Sequence, residues 1–499
     1  MDKNCSLMEK AALYLKNAFI KHRLPFLASL FFSFLAHMYA FSNKLLNADE
    51  ISALFSKGAT VTSGRWGLEL TKYIFPNVSM PWIYGLISII LISCAICMTI
   101  SIFKIKSPIL QLCLAGAIIS FPALVGNFSF MFTSAPYAVA IFLAVLSVKL
   151  FTQGGKVNAL AGVLLLAFSL GIYQAYISLA ASFLVLCLMK SLLEGEEKAG
   201  RILKQGAAYV LLLVASLALY YVINFAVNTL GGHGYQEYEF MSGGGIIASL
   251  IRAYTSFVNT IFGGNFGYVN SPLSMAMHIV LVVLALGGIG LTMAKGRDKG
   301  SIALMLALLA IFPLSVNCMY LIASVDIIHS LVLFSFVSVY VLTAIVLDRM
   351  EGKQTMSRDA AAVALALIVA GNVFYSNKVY LKMALQYENA FAFYNGLLAQ
   401  IMETPGFNSD TVIDFVGNDA YGVKKFDEID TESLTGPNDD LVNIYTRVDF
   451  MKYYLGWDLY SYREDLILNA DWYDEMPSWP EEGSILMRED ENRIIVKLN

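Results

Sequence analysis

Eleven runs of apolar residues dominate this sequence, each long enough to cross the roughly 30 Å hydrocarbon core of a bilayer as a helix. They fall at about 24–42, 82–103, 108–125, 129–150, 158–175, 177–193, 206–227, 272–294, 301–323, 330–347 and 360–377. Lipid offers no partner to backbone amides, so a chain with this pattern must pair them internally, as a bundle of helices. Composition agrees: 57% of the 499 residues are hydrophobic, 14% are charged, and mean hydropathy is +0.62. Soluble domains run about 45–50% apolar and about 25% charged, which excludes that class. The turns at Gly126-Asn127 and Ala175-Tyr176 are so short that a pair among the third to sixth runs reads equally as re-entrant. The expectation is a polytopic α-helical membrane protein with ten or eleven transmembrane helices.

Basic residues in short loops set the orientation. The first arm, Lys104/Lys106, Lys149/Lys156, Lys190 to Lys204, Lys295/Arg297/Lys299 and Arg349/Lys353/Arg358 all fall on one side, which reads as the cytoplasm. The arm, residues 1–23, precedes an apolar run to about Phe41 that exceeds the roughly 7–15 residues of a signal-peptide core, so it reads as an uncleaved first span. The membrane part is then residues 24–377, with external loops at 43–81 and 228–271. An odd number of spans leaves residues 378–499 outside.

Charge separates that tail from the body. From Lys382 onward there are 23 Asp and Glu against 9 Lys and Arg, about −14, which leaves about +10 on the rest. The tail reads as a small α+β extracytoplasmic domain: an amphipathic stretch at Tyr387–Met402, a strand at Val412–Val416, a helical stretch at Leu441–Leu455, and a hairpin around Glu489–Asn492. The six cysteines lie in the N-terminal arm and apolar segments and imply no disulfide framework. Cys94 and Cys97 have redox spacing in mid-span, where packing is the plainer reading. No nucleotide-binding loop, zinc motif or nucleic-acid module is visible, His37, His278 and His329 are scattered, and no metal or cofactor is expected.

Candidate chemistry collects on the external side. Asp49-Glu50 follows the first span by about one helical turn, placing carboxylates at the lipid-water boundary where a lipid-borne substrate presents its head. The same pair also reads as part of a capping box begun by Asn47. Ser63-Gly-Arg65-Trp66-Gly67 and Lys72 offer cations: an arginine suits a phosphate through two parallel hydrogen bonds, or else pairs with Glu69. Tyr173-Gln174 sets polar groups into an apolar segment, facing a substrate cavity or lying in an interfacial belt. The glycine-rich loop at 228–271, with Tyr235, Tyr238, Arg252 and Tyr254, reads as a mobile cover or an interfacial helix. Asp326 and His329 form a weaker pairing at the outer end of the ninth span.

Together the Asp49-Glu50 pair, the Ser63-Gly-Arg-Trp motif, Tyr173-Gln174 and the close through Pro480 and Gly483 to Ile494-Ile-Val-Lys-Leu498 resemble the Gtr-type, serotype-converting O-antigen glucosyltransferases, placed with the GT-C-like enzymes. That family usually shows two aspartates at the acidic pair, whereas here the second is Glu50. The resemblance implies a sugar, commonly glucose, moved from a polyprenyl-phosphate carrier to a cell-surface glycan outside the inner membrane. On these grounds Asp49 or Glu50 reads as catalytic base, Arg65 with Lys72 or Arg252 as the phosphate-binding group, and Trp66, Tyr173, Gln174, Tyr235 and Tyr238 as substrate-binding. A flippase of lipid-linked sugars and a glycan polymerase are the rival readings.

Overall fold

The computed structural model describes residues 7–58, 60–232, 245–262, 271–295, 297–322, 330–350, 355–417, 426–429, 431, 434, 436–437, 440–458 and 475–498. The first half runs α1 (Leu7–Ser42), the short α2 (Ala48–Ser52) and α3 (Trp66–Leu70), then α4 (Pro81–Phe103), α5 (Pro108–Ile119), α6 (Pro122–Ser129), α7 (Met131–Gln153), α8 (Lys156–Ile172) and α9 (Tyr176–Glu194). The second half holds α10 (Ala199–Gly231), α11 (Gly245–Phe262), α12 (Pro272–Ala294), α13 (Lys299–Val316), α14 (Met319–Ile322), α15 (Val337–Leu347), α16 (Thr355–Glu403) and α17 (Arg447–Tyr454). Prolines open α4, α5, α6 and α12, where a missing N–H costs nothing.

Among the described residues, eleven helical stretches are long and apolar enough to cross a membrane. The set differs from the sequence expectation at two places. Lys156–Ile172 is a shorter apolar helix of 17 residues, and Gly245–Phe262, inside the expected 228–271 loop, is a helix of 18. The turn expected at Gly126-Asn127 is also displaced. Pro122 restarts the helix after Ser120-Phe121, α6 runs through both residues, and the chain turns at Phe130 instead.

Much of the surface is apolar, as contact with lipid requires. Only 17% of the most apolar window of α10 is buried by the rest of the chain. Its exposed positions are Leu203, Leu211, Val214 and Phe225, while Ser216, Asn224 and Asn228 turn inward. This inversion of the water-soluble pattern is what a hydrocarbon solvent selects. The same holds for α11, whose buried stripe is Ser249, Ala253, Ser256 and Thr260 and whose outer face is Ile246, Ile247, Ile251 and Val258.

Buried polar links fix the bundle. His37 joins α1 to Tyr380 Oη of α16 and to the carbonyl of Ile119, each at 2.8 Å. At one end of the bundle the Lys106 and Ser107 amides donate to Asp348, Arg297 donates to the Leu193 carbonyl, and Arg349 pairs with Glu194 at 2.9 Å. The opposite end gathers the 43–81 loop, the turn between α6 and α7 and the turn between α8 and α9.

Past residue 377 the chain does not break: α16 continues 49 residues from Thr355 to Glu403. Beyond it, β1 (Val412–Val416) lies parallel to β3 (Arg493–Lys497), which pairs antiparallel with β2 (Ile485–Arg488) as the expected hairpin. A second apolar cluster holds these elements together, with Tyr394, Leu397, Ile413, Phe450 and Ile494 at its centre. Leu46 and Ile51 belong to the same cluster, so the acidic loop is wedged between membrane bundle and C-terminal sheet.

Candidate active site

The two carboxylates of α2 part company. Asn47 caps the helix by accepting the Glu50 N–H at 2.7 Å, the first half of the expected capping box. The reciprocal half is replaced. The Glu50 carboxylate, fully buried, takes an ion pair from Lys44 at 2.6 Å, a hydrogen bond from Ser79 Oγ, and the Phe132 N–H at 3.2 Å. Phe132 lies in the first turn of α7, so Glu50 holds the positive end of a second helix. Gly436 closes over this junction: a Cβ there would meet Ser129 Oγ at 2.8 Å and Asn47 Nδ2 at 3.0 Å.

Asp49, one residue earlier, is exposed at the surface, with part of its carboxylate covered by the loop. Burial raises its pKa above the ordinary carboxylate value, and the charge of Arg65 pulls it partly back. A proton-accepting carboxylate with a neighbouring guanidinium is therefore present at the surface end of the bundle.

The Ser63-Gly-Arg-Trp motif and Tyr173-Gln174 meet, although 111 residues separate the bonded pair. Gln174 Nε2 donates to the Ser63 carbonyl and to Tyr220 Oη, both at 3.0 Å, and Tyr220 Oη donates to the Gly64 carbonyl at 3.1 Å. Gly64 has φ of 72°, and a Cβ there would stand 2.6 Å from Tyr220 Oη. Gly67 packs on α8 so closely that a Cβ would meet the Gly171 carbonyl carbon at 2.7 Å. Trp66 lies on Gly171 and against Phe168 at 5.9 Å between ring centres, so packing takes up its ring.

This docking delivers Arg65 to a tyrosine platform. Its guanidinium carbon stands 5.4 Å from the centre of the Tyr173 ring, a cation–π distance. Tyr173 stacks on Tyr137 at 4.5 Å and meets Tyr176 edge-on at 5.6 Å. Tyr137 and Tyr220 escaped the sequence reading. Tyr220 was within reach, since Tyr220, Asn224 and Asn228 recur every four residues along one face of an otherwise apolar helix. Tyr137 gave no such signal.

Lys57 was also missed, being a lone lysine in a loop. It is buried, and its Nζ donates to the Phe132 carbonyl at 3.0 Å and to Tyr84 Oη at 3.4 Å. Burial pulls its pKa down to about 8, against the opposing pull of Glu50.

Other expected residues lie elsewhere. Lys72 pairs with Glu69, which also accepts from Thr60 Oγ1 at 2.9 Å, and this bond raises the exposed lysine's pKa. Arg252 sits on α11, whose main packing partners are α12, α13 and α14. Tyr235, Tyr238, Asp326 and His329 fall outside the described residues.

A model of the family described as Glucosyl transferase GtrII matches residues 38–347, more than half of the chain. The chain belongs to the GtrII glucosyl transferase family. No curated protein and no solved structure matches it. With eleven membrane-length helices among its described residues, this GtrII member is a multi-pass membrane glycosyltransferase, acting on a sugar donor and an acceptor. The matched region begins eleven residues before Asp49 and contains the junction of Asp49, Arg65, Tyr173 and Gln174.

Proposed function

We propose that this glycosyltransferase moves a glucosyl group from a polyprenyl-phosphate carrier to a cell-surface glycan such as O-antigen, on the extracytoplasmic face of the bacterial inner membrane. The observation that carries the reading is the meeting of Asp49, Arg65 and the Tyr137/Tyr173 stack at one end of a lipid-covered bundle. The tyrosine stack backs the Arg65 guanidinium, and the bundle end suits a donor whose chain stays in the bilayer.

Asp49 takes the proton of an acceptor hydroxyl as its oxygen bonds the anomeric carbon. The bond from that carbon to the phosphate oxygen breaks, and polyprenyl phosphate leaves with the electron pair. Arg65 neutralises the growing phosphate charge, held in place by the Gln174–Tyr220 clamp on Ser63 and Gly64. Glu50 fixes the loop, and Trp66 seats it on α8. The lysine- and arginine-bearing turns at the other end support the orientation, with the N-terminus inside and residues 378–499 outside as a small α+β domain over the site.

Purified protein incubated with polyprenyl-phosphate glucose and an acceptor glycan should release polyprenyl phosphate. No release from that donor, with transfer from a nucleotide sugar, would remove the donor assignment. In a cysteine-free background, an impermeant thiol reagent on intact cells should label Glu482→Cys and not Arg201→Cys. The reverse pattern would invert the membrane orientation.

A further inference from the structure

A cavity of about 650 Å³ opens between α1, α4 and α7, at the end of the bundle opposite the Asp49 loop. It owes its shape to a break in α1. Pro25 has no N–H to offer the Lys21 carbonyl, and His22 leaves the helical region with φ −113° and ψ 19°. The His22 carbonyl, at the break, accepts from Cys97 Sγ at 3.8 Å.

The lining has two characters. Phe19, Phe26, Met98 and Phe142 make an apolar wall, while Lys21 and Lys149 supply cations and His22 a hydrogen-bonding ring. Both lysines lie within electrostatic reach of His22. Among the described residues neither lysine has a carboxylate partner. Two cations brought to one cavity with no carboxylate partner among the described residues repel one another, and a bound anion relieves that repulsion. The volume is in the range of sites that hold organic ligands, roughly 300–1,000 Å³, and the apolar wall gives a free inorganic anion nothing to bury.

We propose that this cavity binds the phosphate head of an anionic glycerophospholipid from the adjacent leaflet, the acyl chains lying along Phe26 and Phe142. The site is separate from the transfer site and does not depend on which face is cytoplasmic.

Purified full-length protein would be equilibrated in nanodiscs of phosphatidylglycerol mixed with phosphatidylcholine, and retained lipid read by native mass spectrometry. Phosphatidylglycerol should be retained over phosphatidylcholine. Combined Lys21→Gln and Lys149→Gln should weaken retention about thirty-fold, as expected for two lysines near an anionic head group. Cys94→Phe, which fills the cavity and keeps its charges, should also expel the lipid, and monodisperse elution would show both variants folded. Equal retention of the two lipids, undiminished retention by the double variant, displacement by inorganic phosphate, or preference for polyprenyl phosphate would each overturn the proposal.

Discussion

Exchanging each carboxylate of α2 for its amide separates support from chemistry. Glu50→Gln removes the partner of Lys44 and leaves one acceptor oxygen for Ser79 Oγ and the Phe132 N–H. Breaking a buried ion pair from one side costs about 3–5 kcal/mol. Lys44 keeps 28% of its side chain exposed and can rehydrate, so the low end, about 3 kcal/mol, applies. Asp49→Asn removes a charge that burial already disfavours, and its folded pKa is raised above its unfolded value. Such a carboxyl favours folding while protonated and loses that contribution as pH rises through the folded pKa, so at neutral pH the amide should leave stability unchanged or slightly improved. A lost general base lowers the rate by about 100- to 10,000-fold. Thermal unfolding, donor binding and transfer per folded molecule would be measured for both variants. Glu50→Gln should melt lower, with activity tracking the folded fraction; Asp49→Asn should melt normally, bind donor and fail to transfer. A stable, active Asp49→Asn beside a stable, inactive Glu50→Gln would refute the division of roles.

Three further outcomes are expected. Arg65→Lys should lose about ten- to hundred-fold in kcat/KM and Arg65→Ala at least as much, because lysine keeps the charge but not the two-pronged hydrogen bonding; full activity of the lysine variant would reduce Arg65 to a field charge. Gly64→Ala combines a φ of 72° with a contact at 2.6 Å to Tyr220 Oη, so it should displace Arg65 and depress transfer, and Tyr220→Phe should partly restore the double variant by removing the hydroxyl; no recovery would place the damage in the backbone alone. Lys57 loses its proton at about 8 when folded and near 10.5 when unfolded, so the unfolded state binds more protons between these values and stability should rise with pH across that window. Lys57→Gln should flatten the rise in thermal midpoint, and an identical slope would show that the amine is not desolvated.

The spans were legible because bilayer thickness sets a minimum length for an apolar run, a constraint read without knowing any contact. Where the reading slipped, local signals competed with burial. Gly126 and Asn127 looked like a turn, yet α6 carries both through a protein-enclosed segment, where Asn127 Nδ2 reaches Tyr176 Oη at 3.4 Å. The glycines flanking α11 made it look like a loop, although an interfacial helix was one reading of it. At the site, Asp49, Arg65, Tyr173 and Gln174 were found from the ends of apolar runs. Their assembly was not: the Gln174–Ser63 bond depends on Gly67 pressing against Gly171, a contact between small residues that leaves no compositional trace. Lys57 was invisible for a related reason, since only the fold encloses it.

The different side-chain lengths at the two acidic positions become intelligible at this junction. Successive residues on a helix point about 100° apart, so Asp49 and Glu50 leave α2 in different directions. Glu50 is turned into the wedge between bundle and C-terminal sheet, where it must span Lys44, Ser79 and the first turn of α7 at once. An aspartate is one methylene shorter and cannot reach all three without moving α2, so glutamate at this position answers a demand of reach. Asp49 faces Arg65 with none of those obligations and keeps the shorter side chain. The longer carboxylate is spent on packing, and the shorter one lies within electrostatic reach of the arginine that covers the Tyr173 ring. This is the arrangement expected if Asp49 handles the proton and Glu50 holds in place the helix that presents it.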